Sequence, residues 1–190
     1  MGCNATAEQT QYISRTIAFV GLDGSGKSSI VHQMINPNAT EEFIPIPTAG
    51  ADYYESSMGA SKFCIYDCGG IGRYRDEWNF YIKHSDAVCF VIDRTDKKRM
   101  SVVRDEIGMI LQKCQLQQIP ILILINKTDK KSSLTISDFE LITKVNEFKV
   151  DGDIKECSAE NGEGIVAARD WLLQHIKPRT TTITTTTEEK

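Results

Sequence analysis

The sequence predicts a three-layer α/β fold, in which a mostly parallel sheet is covered by helices on both faces. Short apolar, β-branched runs alternate along the chain with longer segments of helical period. Two of the runs, residues 87–93 and 119–125, are apolar at nearly every position, as strands buried on both faces are. The length of 190 residues, 41% of them hydrophobic, fits one domain with a sizeable core.

The strands and helices follow in order from these patterns. The runs predicted as strands are residues 16–20, 62–67, 87–93, 119–125 and 153–157. Between them, apolar residues recur at helical spacing, as Val103, Ile107 and Leu111 do. The predicted helices are residues 26–35, a segment after a glycine turn that ends near residue 82, and segments around 102–111, 137–148 and 164–176. Because strands and helices alternate, the sheet should be mainly parallel.

Two segments depart from this alternation. Residues 37–54, which include Pro45 and Pro47, are predicted to form one long connection, and a loop of that length in a compact domain is usually functional. The chain after Pro178 is dominated by threonine. Such a segment cannot bury enough apolar surface to fold, so we expect residues 178–190 to be a disordered tail.

Composition excludes several classes of protein. The 22 basic and 26 acidic residues give a net charge of -4, so no overall charge directs the chain to nucleic acid. No apolar stretch reaches the roughly 20 residues that cross a bilayer, and the first residues lack the pattern of a secretory signal. We therefore expect a cytosolic protein. The six cysteines form no CxxC pair and have no metal-ligand spacing, which favours structural thiols.

A phosphate-binding motif lies between the first predicted strand and helix. Residues 21–28, GLDGSGKS, match GxxxxGK[ST], the P-loop, in the strand-to-helix context that the motif requires. Its backbone N–H groups would wrap the phosphates, Lys27 would reach the β- and γ-phosphates, and Ser28 would bind Mg2+. The alternative, a glycine-rich turn without a ligand, does not account for this context.

Two further segments are predicted to meet the γ-phosphate and the metal. Residues 67–70, DCGG, form a DxxG motif that closes the second predicted strand. Asp67 can hold Mg2+ through water, and Gly70 can bring its backbone N–H to the γ-phosphate because it has no side chain. Thr48, in the long connection, could complete the metal shell, although an ordinary loop threonine is the alternative. Loss of the γ-phosphate would then release both segments.

A base site is predicted after the most apolar strand. In residues 126–129, NKTD, Asp129 can accept both the ring N–H and the exocyclic amine of guanine, a pair of donors that adenine does not present. Asn126 can tie this loop to its neighbours, and the stem of Lys127 can cover the purine. After the last strand, Ser158 and Ala159 would place a backbone N–H at the guanine carbonyl oxygen. A polar turn is the alternative for NKxD alone, whereas the order of all the motifs favours guanine.

With these motifs, the chain resembles a Ras-type small GTPase of the Arf/Arl family over about residues 16–176. The resemblance rests on the P-loop residues 21–23, on Pro47 and Thr48, on the doubled glycine at 69–70 and on residues 126–129. It implies a P-loop NTPase of the Ras-like type with a six-stranded sheet in residues 16–177. It also implies a GTP hydrolase that binds GTP or GDP with Mg2+, and a monomer that works with an exchange factor and a GTPase-activating protein.

The resemblance assigns roles residue by residue. The catalytic residues would be Lys27, Thr48 and Gly70, and the metal residues Ser28, Thr48 and, through water, Asp67. The nucleotide-binding residues would be Asp23, Gly24, Ser25, Gly26, Lys27, Ser28, Ser29, Thr48, Gly70, Asn126, Lys127, Asp129, Ser158 and Ala159.

Further segments look like the Arf-like proteins that recruit the BBSome coat to ciliary membranes. They include residues 72–75, GRYR, and the following Trp78. This likeness implies an effector or coat that binds through the switch regions, at the cilium base or the ciliary membrane. The alternative is an Arf/Arl protein of secretory trafficking.

Two departures from the family pattern change what is expected. Ile71 stands where the family has a glutamine that orients the attacking water, and isoleucine cannot hydrogen-bond to water. We therefore expect slow GTP hydrolysis or, as an alternative, a recruitment module that holds GTP with negligible hydrolysis. Ala51 is smaller than the apolar residue that the family tends to carry on its effector surface. A P-loop kinase or ATPase is disfavoured by Asn126 and Asp129.

The first residues predict a lipid anchor. Residues 1–6, MGCNAT, match the myristoylation pattern MGxxx[ST], so Gly2 would carry myristate and Cys3 palmitate. One myristoyl chain binds a membrane only marginally, so the second acyl group would be needed for stable attachment. Residues 1–15 are therefore predicted to be a lipid-anchor segment of a protein that is peripherally associated with membranes.

Overall fold

A computed structural model describes residues 14–37, 43–58, 61–132 and 134–176. The described strands form a six-stranded sheet in the order β2-β3-β1-β4-β5-β6. They are β1 (Ser14–Val20), β2 (Ala51–Met58), β3 (Ser61–Cys68), β4 (Ala87–Asp93), β5 (Ile121–Asn126) and β6 (Gly152–Glu156). The α-helices are α1 (Lys27–Ile35), α2 (Trp78–Lys83), α3 (Met100–Gln117), α4 (Ile136–Thr143) and α5 (Ile165–His175). The predicted lipid-anchor residues Gly2 and Cys3 and the predicted tail lie outside the described residues.

The sheet has a buried layer on each face, as predicted. Neighbouring residues of β1 alternate between two apolar clusters: Ile17 and Phe19 belong to one, and Ala18 and Val20 to the other. Helices α1 and α5 pack on the first face, whereas α2, α3 and α4 pack on the second. This arrangement confirms the three-layer α/β fold.

The strand β2 corrects the predicted long connection of residues 37–54. Ala51–Met58 pairs with β3 in antiparallel register, from Ala51 opposite Cys68 onward, whereas the other pairs in the sheet are parallel. This edge strand is polar, with Asp52 and Glu55 exposed. Its stability comes from backbone pairing and from Tyr54, which packs against the core, so the apolar pattern that marked the other strands is missing.

Two predicted helices are interrupted in the structure. The segment before α2 is a 3₁₀ turn, Gly72–Glu77. The predicted helix 137–148 ends at Thr143 because Lys144 is in the left-handed conformation with φ 54°, and a 3₁₀ turn, Val145–Glu147, follows it. Helix α3 extends beyond the predicted 102–111 in both directions.

The parallel strands place their carboxyl ends at one edge of the sheet. The P-loop follows β1, the DxxG segment ends β3, Asp93 ends β4 and Asn126 ends β5. A parallel sheet therefore brings these sequence-distant segments together at one crevice, where ligands bind in such folds. Within the described residues, no helix is both long enough and apolar enough to span a bilayer.

Candidate functional site

The P-loop and the DxxG segment that packs against it each have a position that only glycine can occupy. Gly26 has φ 91°, and a Cβ there would lie 2.2 Å from Asn126 Nδ2. Gly70 is equally restricted, because a Cβ there would lie 2.3 Å from the backbone nitrogen of Asp23. Helix α1 begins directly after Gly26, so its free N–H groups face the loop. The arrangement suits an anion.

Lys27 is buried within this loop. Its side chain is only 6% exposed, and Nζ donates to the Leu22 carbonyl at 3.1 Å. Burial lowers the pKa of Lys27, and the nearby carboxylate of Asp67 opposes that change. A buried ammonium with one backbone acceptor is placed to bind a further anion at low desolvation cost.

Hydroxyl and carboxylate oxygens converge next to Lys27. Ser28 Oγ lies 3.4 Å from Thr48 Oγ1. Asp67 has no exposed area, and neither of its carboxylate oxygens makes a hydrogen bond of normal geometry within the described residues. Burial raises the pKa of Asp67, while the nearby Ser28 hydroxyl and Lys27 ammonium oppose the rise.

These residues fit Mg2+. A buried carboxylate without a hydrogen-bond partner in the described part of the chain, beside two hydroxyls, is a set of hard oxygen donors, which Mg2+ prefers. Phosphate oxygens and water would complete its shell. The described residues contain no group of three or more His, Cys, Asp or Glu side chains that could hold a metal ion. A metal here would therefore depend on the nucleotide for part of its coordination.

The segment after β3 is held against the loop that carries Thr48. The Gly69 N–H donates to the Gly50 carbonyl at 2.6 Å. The buried Trp78 donates from Nε1 to the Gly69 carbonyl at 2.9 Å, and Arg75 Nε donates to the Gly70 carbonyl, also at 2.9 Å. Gly70 is thus fixed beside both the P-loop and the Thr48 segment.

Ile71 stands on the wall of a cavity of about 370 Å³ that these segments enclose. The cavity is also lined by Lys27, Ser28, Thr48 and Gly70, and by the apolar side chain of Ile46. Ile71 is 38% exposed. The cavity therefore has polar donors on one side and apolar side chains on the other.

The loop after β5 is tied to the P-loop and to the loop after β6. Asn126 Nδ2 donates to the Ser25 carbonyl at 2.8 Å, and Asn126 Oδ1 accepts from the Ala159 N–H at 3.1 Å. Lys127 Nζ donates to the Gly24 carbonyl at 2.8 Å. One amide side chain therefore joins three loops.

Asp129 lies at the same place. Its Oδ1 accepts from Ser158 Oγ at 2.6 Å, and the carboxylate keeps further lone pairs for the two donors of guanine. The Ser158 N–H donates to the Glu163 carbonyl at 2.9 Å. A guanine carbonyl would thus meet the Ala159 N–H, which it would share with Asn126, rather than that of Ser158.

The structure adds charged residues that the motifs did not indicate. Asp93 Oδ2 accepts from Lys127 Nζ at 2.6 Å. Arg99 donates to both the carboxylate and the backbone carbonyl of Asp23, each at 2.9 Å, and Arg75 lies 3.7 Å from the same carboxylate. Asp23 is therefore fixed by two guanidinium groups. The remaining predicted residue, Ser29, lines the cavity.

Known proteins with similar sequences agree with this geometry. The model of the ADP-ribosylation factor family matches residues 5–176. Human ADP-ribosylation factor-like protein 5A is 31% identical over 164 residues, which cover 86% of this chain and 90% of that protein. ADP-ribosylation factor-like protein 6 of Danio rerio is 34% identical, and the match covers 83% of this chain and 86% of that protein. ADP-ribosylation factor-like protein 1 of Saccharomyces cerevisiae is 35% identical, and the match covers 85% of this chain and 87% of that protein.

A solved structure supports the same assignment. The Arl6 BBS3 small GTPase from Trypanosoma brucei, with the bound nucleotide analogue GppNp, has a TM-score of 0.74 and 26% identity. The match covers 85% of this chain and 96% of that one. The resemblance predicted from the motifs is confirmed: the chain belongs to the ADP-ribosylation factor family of small GTPases, which bind guanine nucleotides and hydrolyse GTP.

Proposed function

We propose that this chain is a guanine-nucleotide switch that binds GTP and GDP with Mg2+ and recruits an effector when GTP is bound. The observation that carries the proposal is a cavity lined by Lys27, Ser28 and Thr48, with the buried carboxylate of Asp67 next to these three side chains. Lys27 would neutralise phosphate charge, and the metal would bridge phosphate oxygens to the two hydroxyls. Asp129 would select guanine.

The switch itself would lie in two segments. Thr48 and Gly70 would both contact the γ-phosphate and its metal, from loops that the Gly69–Gly50 hydrogen bond already joins. Loss of the γ-phosphate removes both contacts, which changes the surface that an effector reads. An exchange factor and an activating protein would set the direction of the cycle.

Ile71 would make hydrolysis slow. It presents carbon atoms where a water-orienting amide would be needed, while the groups that bind phosphate are unaffected. The Ile71→Gln variant should therefore release phosphate about 10 to 100 times faster in single-turnover measurements, as expected for restored positioning of the nucleophile.

The matched control is Ile71→Val, which keeps the wall apolar and should hydrolyse GTP at the rate of the unmodified protein. Equal rates for the unmodified chain and Ile71→Gln would contradict the explanation. If the unmodified chain and Ile71→Val bind GTP without hydrolysing it measurably while Ile71→Gln does hydrolyse it, the chain is instead the recruitment module that holds GTP, the alternative that Ile71 favours. Competition of bound nucleotide by GTP against ATP tests the choice of base.

Membrane attachment would use residues 1–15, with myristate on Gly2 and palmitate on Cys3, while residues 178–190 would be a flexible tail beyond a domain of residues 16–177. The sequence pattern at residues 1–6 supports the acylation. Labelling with fatty-acid analogues should give signal in the unmodified chain, none in Gly2→Ala and myristate alone in Cys3→Ser. No label in the unmodified chain would contradict this proposal.

For the effector we propose a coat of the BBSome type. The likeness to ADP-ribosylation factor-like protein 6 and to the trypanosome Arl6 BBS3 GTPase supports it. The identities to proteins 5A and 1 are comparable, so an Arf/Arl protein of secretory trafficking stays the alternative. Binding of purified BBSome to the GTP-loaded but not the GDP-loaded chain distinguishes the two.

A further inference from the structure

Arg94 follows the last residue of β4 and lies below the loops that would hold the base. Its backbone N–H donates to the Asn126 carbonyl at 3.1 Å. Its own carbonyl accepts from Ser132 Oγ at 2.7 Å, and Ser132 Oγ in turn accepts from the Leu134 N–H at 3.1 Å. The backbone of Arg94 is therefore bonded to both ends of the segment that carries Asp129.

The guanidinium of Arg94 extends to a second loop. Nη2 donates to the Leu134 carbonyl at 3.3 Å, and Nη1 donates to Glu156 Oε1 at 3.4 Å. Glu156 ends β6, immediately before the loop that carries Ser158. The side chain of Arg94 is only 17% exposed, so this ion pair is shielded from water on the arginine side.

These contacts point to a geometric role. Asp129 is bound by Ser158 Oγ at 2.6 Å, and that bond requires the two loops to keep a fixed separation. Arg94 belongs to neither loop but is bonded to both. A fork of two Nη donors can hold two acceptors in fixed directions, which the single ammonium of lysine cannot do.

We propose that Arg94 is a positioning residue that sets the preference for guanine by holding the Asp129 and Ser158 loops in register. The inference rests on the proposed function, in which Asp129 accepts hydrogen bonds from guanine. A small displacement of the Asp129 carboxylate weakens its hydrogen bonds to guanine, because hydrogen bonds are sensitive to both distance and angle. Of the two donors, only the exocyclic amine is absent from hypoxanthine, so its share of the loss can be measured separately.

The test compares GDP with IDP, which lacks the exocyclic amine. The full chain is loaded with a fluorescent GDP analogue, and competition gives the ratio of affinities for GDP and IDP. In Arg94→Met this ratio should fall about three- to tenfold, the loss of one hydrogen bond, and in Arg94→Lys it should fall less. Arg104→Met is the matched control, since Arg104 is exposed and paired with a neighbouring exposed aspartate, and its ratio should not change.

A change in stability alone would not produce this result, because unfolding lowers both affinities equally. An unchanged GDP:IDP ratio in a folded Arg94→Met protein overturns the inference. If that variant does not fold, Ser132→Ala and Glu156→Ala each remove one of the contacts. A fall in the ratio in either one supports the proposal, and an unchanged ratio in both overturns it. If the unmodified chain does not prefer GDP to ADP, the proposed function fails instead.

Discussion

Asp67→Asn tests whether the buried carboxylate of β3 exists to hold a metal. The Asp67 side chain has no exposed area, and burial disfavours its charge more than the Ser28 hydroxyl and the Lys27 ammonium favour it, so the charge opposes folding. Asparagine leaves a polar amide at the same place, so the variant removes only the extra cost of a charge over a neutral polar group, on the order of 1–3 kcal/mol. Removing the charge should therefore stabilise the protein by about that amount when EDTA is present. For a domain of this size, that corresponds to a rise of about 2–12 °C in Tm.

The order should reverse when Mg2+ is added. Binding to the native state stabilises it by RT ln(1 + [L]/Kd), which is about 2.7 kcal/mol at 100 times Kd, and the Asp67→Asn variant would forgo most of that gain. Thermal unfolding followed by circular dichroism, with excess GDP and either EDTA or Mg2+, gives the Tm of the unmodified chain and of Asp67→Asn under both conditions. Asp105→Asn, at an exposed position, should behave like the unmodified chain. If Asp67→Asn lowered Tm equally in EDTA and in Mg2+, the carboxylate would be a structural group and the reasoning would be refuted.

Three further predictions concern the loops around the site. Gly26→Ala should cost about 1–3 kcal/mol in thermal unfolding and speed nucleotide release, because its Cβ would displace the Asn126 amide; unchanged release would contradict this. Trp78→Phe leaves a backbone carbonyl without its donor, so the free energy of unfolding in urea should fall by about 1–3 kcal/mol, and a change near zero would count against it. Burial opposes but does not cancel the hydrogen bonds from Lys127 and Thr95, which lower the pKa of Asp93. The stabilisation is complete above the ordinary pKa of 3.8 and is lost as pH falls through the lower pKa of the folded protein. The Tm deficit of Asp93→Asn should therefore vanish at acid pH, and a constant deficit would refute this.

The strands with the clearest sequence signal are the two that are buried on both faces. In β4 and β5, burial requires an apolar residue at nearly every position, and the sequence shows it. Strand β2 is different, because one edge and much of its surface face solvent and its backbone bonds to β3 hold it in place. Backbone pairing leaves no sequence signal, which is why the predicted connection of residues 37–54 includes the first four residues of β2.

The candidate site likewise contains residues that could be predicted from the sequence and residues that could not. The P-loop, DxxG and NKxD segments could be located because each performs its role with neighbouring residues. Arg99 and Asp23 are 76 positions apart, and Arg94 and Glu156 are 62 apart. Their pairing depends on how the sheet orders its strands, and a single sequence contains no record of that order. A charged residue directly after a predicted strand was the only signal present.

The hydrogen bond from Gly69 to Gly50 has a consequence for how the protein would signal. It closes the open end of the β2–β3 hairpin, so this hydrogen bond joins the loop with Thr48 to the loop with Gly70 where both leave the sheet. Neither loop can move far from the other without straining or breaking the bond. Two segments that must move together respond to a ligand as one cooperative unit, with few intermediate arrangements. A partner protein that binds the hairpin would then encounter one of two conformations rather than a continuous range of them.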